Sequence, residues 1–194
     1  MSPSARVLAL IAVAVTLSGC AAGSARSEEV LCQPDDAAPF ILMAQSVPSA
    51  TLLPCIRLFP PGWGYGGSEM RNGTARFWLD SDRAGIHSVE VVLAPSCDVA
   101  GLEEVTRASG ELDVRVYRES ISVTPYAADR HFVFVGGCVT YRYRFLDVAQ
   151  AATLAFEADD ALTFLPRAEV VDLVEEGWGL TLCGAEAPPC VGED

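Results

Sequence analysis

The chain has 194 residues, with 13 arginines, no lysine and 26 acidic residues, and its formal charge is −13. The absence of lysine excludes a Schiff-base lysine, the GK[ST] end of a P-loop and a Ser-x-x-Lys nucleophile. So acidic a chain is expected to repel nucleic acid and anionic lipid surfaces, and its length suits one domain with a sizeable core.

The first twenty residues predict export. Arg6 supplies a positive start, and the eleven residues 7–17 that follow carry no charge. A bilayer span needs about 20 apolar residues, so this run is typical of a signal peptide and not of a transmembrane helix. We therefore predict a signal peptide over residues 1–19.

The motif Leu17-Ser18-Gly19-Cys20 resembles the lipobox of bacterial lipoproteins. The resemblance implies that the signal is cut before Cys20 and that its sulfur carries a diacylglyceryl group, with palmitate-like chains. Two acyl chains anchor a protein stably, so we expect the body to be held at the outer face of the bacterial cell membrane. An ordinary secretory signal with a cysteine after Ser-Gly is the alternative.

Three segments follow from this prediction: the signal peptide 1–19, a lipidated tether 20–31 and a single extracytoplasmic domain 32–194. The tether is small and polar without periodicity, as flexible linkers are. The body also resembles small uncharacterised lipoproteins of actinobacteria, and that resemblance implies no activity.

Six cysteines remain after Cys20, and an even number in an exported chain favours disulfides. Sequence alone does not choose among the possible pairings. We favour sequential neighbours, namely Cys32–Cys55, Cys97–Cys138 and Cys183–Cys190. A zinc site is disfavoured because the chain has no Cys-x-x-Cys motif and only two histidines, so we expect neither a metal nor another cofactor.

The first part of the body has few regular patterns. Residues 40–53 predict one short strand or a helical turn. Residues 54–67 hold prolines followed by glycines around Trp63 and Tyr65, which predicts irregular structure.

The middle of the chain predicts strands. Residues 74–80 and 86–94 alternate between apolar and polar side chains and are joined by a turn, which indicates a hairpin. Residues 98–113 predict a loop or short helix, and residues 113–123 one or two strands. The strongest signal covers residues 131–135 and 138–146, in which one face is apolar: Val139, Tyr141, Tyr143 and Phe145.

The end of the chain predicts two helices. Asp147 and Gln150 fit a capping box, and apolar residues then follow helical spacing as far as Leu165. This first helix is expected to carry three acids on its solvated side: Glu157, Asp159 and Asp160.

Pro166 suits the first position of the second helix, and Gly177 is expected to end it. Strands followed by helices predict an α+β fold, with an antiparallel sheet, C-terminal helices packed on one of its faces and disulfides as staples.

Aromatic rings provide one candidate ligand site. Trp63, Tyr65 and Trp178 could form a platform on which sugars or apolar groups stack. The alternative, which we favour, is a structured loop that buries Trp63 over the core.

Arg142 and Arg144 provide a second candidate, because they project from one strand face and arginine binds carboxylate or phosphate. Cross-strand pairing with acids such as Glu90 is the alternative, and we favour it.

Catalytic and metal signatures are weak. His131 follows Asp129, so a Ser-His-Asp triad can be drawn, but no Gly-x-Ser-x-Gly elbow accompanies it, and His87 lies in a predicted strand. The loop at residues 80–85 resembles part of an EF-hand, yet Ala84 and Val91 occupy positions that need ligands. We predict no catalytic residue and no metal ligand.

The sequence therefore predicts a membrane-anchored binding or interaction module of the cell envelope. Its expected partners are the membrane, through the lipid, and an envelope protein or glycan, with no nucleic acid. The alternative is an envelope hydrolase acting on a glycan or ester, with His131 or a carboxylate pair as acid and base.

Overall fold

The computed structural model describes residues 31–32, 38–105, 112–118, 122–123 and 126–182. The predictions on the signal peptide, on Cys20 and on the Cys183–Cys190 pair lie outside these residues. Among the residues that are described, no helix is both long and apolar enough to cross a bilayer.

Among the described elements, helices occur only near the two ends of the chain, and the middle contains only strands. They are α1 (Ala38–Ser46), β1 (Leu52–Ile56), β2 (Trp63–Arg71), β3 (Thr74–Ser81), β4 (Gly85–Ala94), β5 (Glu103–Val105), β6 (Arg115–Arg118), β7 (Ser122–Val123), β8 (Tyr126–Phe134), β9 (Gly137–Phe145), α2 (Ala151–Ala161), β10 (Leu162–Pro166) and α3 (Arg167–Trp178).

Eight strands form one antiparallel sheet in the order β2-β3-β4-β9-β8-β6-β5, with β7 paired to β8. The predicted hairpin is present as β3 and β4, which join through a turn and pair from Ala75↔Leu93 to Ser81↔Gly85. The turn between β8 and β9 contains Gly136, whose φ of 73° lies in the left-handed region that glycine tolerates. β1 and β10 form a separate two-stranded antiparallel sheet.

Alternation along the strands produces the core. In β3 every second side chain is buried, and in β9 the predicted apolar face is buried at its four positions. These side chains meet the buried residues of a second layer, which contains α1, α2, α3 and the β1-β10 sheet. An eight-stranded sheet with the helices on one face confirms the α+β prediction.

Both described disulfides match the favoured pairs. Cys32 is joined to Cys55, and Cys97 to Cys138, across 23 and 41 positions of sequence. The first holds the entry of the chain against β1, and the second holds the loop after β4 against the start of β9.

The prediction of irregular structure over residues 54–67 holds for residues 57–62 and was wrong at both ends, which belong to strands. β1 includes Pro54 because its described sheet partner is β10 alone, so the missing N–H of proline can be accommodated. β2 begins at Trp63 and absorbs its glycines through a register shift between Tyr65 and Gly67, whose φ is 114°. A strand at the edge of a sheet tolerates both irregularities.

The prediction of one helix up to Leu165 was also wrong. α2 ends at Ala161, and Leu162 is extended, with φ −92° and ψ 139°. The next five residues pair with β1 from Leu162↔Ile56 to Pro166↔Leu52. Long-range strand pairing therefore overrides the helical spacing of the apolar residues, as tertiary context often does.

The predicted helix ends shift by one to four residues. Asp147 does not cap α2; its carboxylate accepts from the N–H of Ala149 and from the Gln150 amide, both at 2.9 Å, in a turn before the helix. α3 passes Gly177 and is closed by Gly179, which has φ 63°. Pro166 ends β10 and is the N-cap of α3, not its first residue.

Arg167, the first residue of α3, is buried with 2% of its surface exposed. Its Nη1 donates to the carbonyl oxygen of Ala44 at 2.8 Å, near the C-terminal end of α1. A cation at that end complements the helix dipole, although desolvation lowers the pKa of the guanidinium below its ordinary value. The contact ties α1 to α3.

Candidate functional site

Two acids on α2, Glu157 and Asp159, are largely covered and bond back to the large sheet, which corrects the prediction that they face solvent. Glu157 accepts the indole N–H of Trp63 at 2.8 Å and pairs through both oxygens with the guanidinium of Arg83, one contact being 3.1 Å. These hydrogen bonds, from Arg83 first and Trp63 second, lower the pKa of Glu157, and the same pairing raises the pKa of Arg83. Glu157 is thus held ionised as a clamp between α2 and the start of β2.

Asp159 forms a second clamp on the same helix. Its carboxylate accepts from the hydroxyl of Tyr143 on β9 and from Arg130 on β8. Arg130 also lies over the ring of Tyr143, 5.6 Å from its centroid. Asp160 is more exposed and pairs with Arg57 at 3.3 Å. The three acids hold α2 to β2, β8 and β9, to the β3–β4 turn and to the end of β1.

The predicted aromatic platform is not assembled as expected. Trp63 is buried, as the favoured alternative held, and its one polar atom is already bonded to Glu157. Tyr65 is half-buried and packs against the core. Trp178 ends α3 and is 55% exposed. Of the three rings, only Trp178 offers a largely exposed surface.

Arg142 and Arg144 lie on the face of the large sheet that points away from the helices. Arg142 bonds to Glu90 at 3.0 Å, which is the pairing favoured from sequence, and lies 3.5 Å from Asp129. Arg144 bonds to the other oxygen of Asp129 at 2.7 Å. Both candidate anion ligands are therefore engaged with carboxylates.

These pairs belong to a longer row, which we call the ladder. Arg76 bridges Glu90 on β4 and Glu69 on β2, at 3.3 and 3.5 Å. The ladder contains alternating charges on five adjacent strands: Arg71, Glu69, Arg76, Glu90, Arg142, Asp129 and Arg144.

The ladder is half-exposed and carries an excess of one positive charge. Its arginine side chains are 34–73% exposed, whereas Glu90 and Asp129 are 19% and 13% exposed. The guanidinium groups are thus more exposed than the carboxylates that orient them. A positive excess is distinctive in a chain of formal charge −13.

A ring stack lies at one end of the ladder face. The rings of Trp78 and His87 are 4.9 Å apart with an interplanar angle of 21°. His87 is the one described non-glycine residue with positive φ, at 51°. Its N–H donates to Asp80 at 2.6 Å, and its Nε2 lies 3.2 Å from the carbonyl of Gly66. A side chain at Gly66 would clash with Asp80, so the glycine makes room for this arrangement.

His131 lies on the ladder face, at the register position opposite Thr140. Its Nδ1 is 3.0 Å from the hydroxyl of Thr140, which is 5% exposed. The sulfur of Cys97 is 3.3 Å from the same hydroxyl. Cys97, Cys138 and His131 have their potential ligand atoms within 4.8 Å of one another, but both sulfurs are joined in the disulfide. This cluster therefore presents no thiolate for a metal.

A shallow depression of about 180 Å³ lies at the far end of β8. It is lined by Asp113, Arg115 and the residues Val133, Phe134 and Val135. None of the predicted site residues lines it.

Comparison of the chain with models of protein families, with curated proteins and with solved structures finds no significant match.

Sequence reasoning missed Trp78, His87 and most of the ladder as surface features. The alternation of β3 did place Arg76 and Trp78 on one face, opposite Phe77 and Leu79, which are buried. Their neighbours depend on the registers Trp78↔Glu90 and Glu69↔Arg76, which no single strand specifies.

Proposed function

We propose that this chain is an exported lipoprotein, held at the outer face of a bacterial membrane by a lipid on Cys20, whose body binds an envelope protein through the ladder face. The anchor is supported by the lipobox resemblance of Leu17-Ser18-Gly19-Cys20, which follows an uncharged run too short to span a bilayer.

The half-exposed ladder is the observation that carries the proposed binding role. Arginine and tryptophan are enriched among the residues that dominate binding at protein interfaces. The ladder face offers four arginines oriented by half-buried acids, with Trp78 beside them. Oriented guanidinium groups lose little freedom on binding, so they suit carboxylates on a partner.

The hydrolase hypothesis receives no specific support from this geometry. His131 contacts a buried threonine hydroxyl. The α2 acids Glu157 and Asp159 are engaged with Arg83 and Arg130, which leaves neither as a free acid–base group.

Metabolic labelling with an alkyne fatty acid tests the anchor. The wild-type protein should be labelled and should sediment with membranes, whereas Cys20→Ala should be unlabelled. An unlabelled wild-type protein that is released on washing would contradict the anchor.

Site-specific photo-crosslinking tests the binding face. A benzophenone amino acid in place of Trp78 should crosslink a distinct envelope protein in intact cells, and the same residue in place of Trp178 on α3 is the aromatic control. Adding Arg142→Glu and Arg144→Glu should lower the yield at position 78 at least fivefold. Equal yields at positions 78 and 178, or no effect of the charge reversals, would reject this face.

A further inference from the structure

Exposed apolar side chains concentrate at one end of the large sheet. Of the residues described, five large apolar ones with exposures of 41–85% belong to this end, which we call the apolar rim: Leu58, Ile86, Leu146, Val148 and Phe156. Singly exposed apolar residues are ordinary, but a group of them marks an interaction surface.

The registers place two of these residues together. Leu146 follows the last residue of β9, and Ile86 is the second residue of β4. β4 and β9 are antiparallel neighbours whose last pair at this end is Val89↔Tyr143, so Ile86 and Leu146 both lie just beyond it. Val148 comes two residues after Leu146, in the turn before α2.

Contacts of α2 bring Phe156 and Leu58 to the same end. Glu157, the neighbour of Phe156, reaches Trp63, and Trp63 begins β2 and pairs with Ser81 at the end of β3. Arg57, the neighbour of Leu58, donates its N–H to the carbonyl of Ala161 at 2.7 Å. α2 therefore lies across this end of the sheet, with Leu58 beside it.

The chain that carries Cys20 enters the body at this end too. Leu31 forms a parallel bridge with Ile56, and the N–H of Cys32 donates to the carbonyl of Ile56 at 2.9 Å. The Cys32–Cys55 disulfide fixes this entry covalently. Leu58, at 75% exposure, is only two residues beyond Ile56.

The length of the tether limits how far the rim can lie from the lipid. Leu31 comes eleven positions after Cys20. A flexible linker of this length has a root-mean-square span of about 18 Å and a fully extended span of about 38 Å. The tether therefore keeps the entry point, and Leu58 beside it, within reach of the bilayer surface.

We propose that the apolar rim docks on the lipid surface of the bilayer that receives the anchor, with its five side chains inserted among the headgroups. This inference rests on the proposed lipidation of Cys20. The charged residues next to the rim, in sequence or through these contacts, are two arginines and five acids: Arg57, Arg83, Asp80, Asp82, Asp147, Glu157 and Asp160.

Because these acids outnumber the arginines, apolar insertion drives the contact and anionic lipid weakens it. Docking orients the body so that the ladder face runs along the membrane normal and stays accessible to an envelope partner.

Lipid photo-crosslinking of the full lipidated chain in phosphatidylcholine vesicles tests the docking. A diazirine amino acid replaces Phe156 or Ile86 in separate variants, and Val135 in a matched control. Val135 is also apolar and 70% exposed, but it lies in the β8–β9 turn at the opposite end of the sheet. We expect at least fivefold more tritiated lipid on positions 156 and 86 than on position 135.

Equal labelling at the three positions, on protein that sediments with the vesicles, would overturn the docking and leave the anchor intact. Protein that carries no lipid fails the anchor instead, and is recognised by its mass before the vesicles are added. Crosslinks from position 156 to a second copy of the chain would also overturn it, since the rim would then be a dimer contact. Replacing one third of the lipid by phosphatidylglycerol should lower the labelling at positions 156 and 86.

Discussion

The indole N–H of Trp63 donates to Oε2 of Glu157 at 2.8 Å, and this bond joins the first residue of β2 to α2 across 94 positions of sequence. Trp63 is 8% exposed, so the bond secures a polar atom inside an apolar environment. A buried donor without an acceptor costs about 1–3 kcal/mol.

Glu157→Ala should therefore lower the free energy of unfolding by about 1–3 kcal/mol, because it leaves the Trp63 N–H without its acceptor. Urea unfolding at pH 7, followed by circular dichroism, measures the change. The control is Asp160→Ala on the same helix, which removes an exposed ion pair and should cost less than about 1 kcal/mol. Equal losses of unfolding free energy in the two variants would mean that the bond between Trp63 and Glu157 stabilises the protein no more than an exposed ion pair does.

The contribution of Glu157 should depend on pH in a defined direction. Hydrogen bonds from Arg83 and Trp63 lower the pKa of Glu157 below its ordinary value of 4.5. As the pH falls below about 4.5, the unfolded chain therefore binds more protons than the folded chain. The stabilisation by Glu157 is complete above this pH and is lost as the pH falls through the pKa of the folded state.

The difference in unfolding free energy between wild type and Glu157→Gln should accordingly be constant from pH 7 to about 5 and shrink below pH 4.5. Urea midpoints at half-unit pH intervals measure it. A difference that grows on acidification would contradict the ionised clamp.

Replacement by alanine should change the stability in opposite directions at two glycines. At Gly136, with φ 73°, an added Cβ would lie 1.8 Å from the carbonyl oxygen of Ser49. Gly136→Ala should cost about 3 kcal/mol or more, because both the backbone conformation and the contact must change. Gly177 lies in α3 with no atom within 4 Å of such a Cβ, so Gly177→Ala should stabilise by about 0.5–1 kcal/mol. Thermal unfolding of the two variants compares them directly, and a neutral Gly136→Ala would refute this geometry.

Removal of the Cys97–Cys138 disulfide should cost about 4 kcal/mol by loop entropy, since it closes 41 positions of sequence. Removal of Cys32–Cys55, which closes 23 positions, should cost about 3.4 kcal/mol by the same relation. Guanidinium unfolding of the Cys97→Ser/Cys138→Ser and Cys32→Ser/Cys55→Ser double variants measures both. Losses under about 1 kcal/mol in both variants would argue against the entropic account.

The alternation of apolar and polar residues predicted the hairpins, because a strand with one buried face has an apolar side chain at every second position. Phe77, Leu79, Val89 and Val91 are fully buried, as their spacing required. The antiparallel sheet and the helices on one of its faces followed from this order of elements, and the two described disulfides match the favoured pairing of sequential neighbours.

Long-range pairing explains most of what local pattern missed. Residues 162–166 satisfy helical spacing as well as strand pairing, and only the presence of β1 decides between them. The acids of α2 were expected in solvent because their partners, Arg83 and Arg130, come from distant strands. Trp63 belonged to a stretch whose glycines resemble a loop, whereas its polar atom is bonded to Glu157 of α2, 94 positions later.

The pairing of Leu52–Ile56 with Leu162–Pro166 also sets an order of events during synthesis. β1 emerges early from the ribosome, and a buried residue such as Leu53 has no strand partner until the C-terminal part of the chain has emerged. Closing so long a loop is slow relative to forming the hairpins between them. A nascent chain therefore carries an uncovered apolar segment near its start for most of its synthesis, and a truncation before residue 162 would leave that segment open to aggregation.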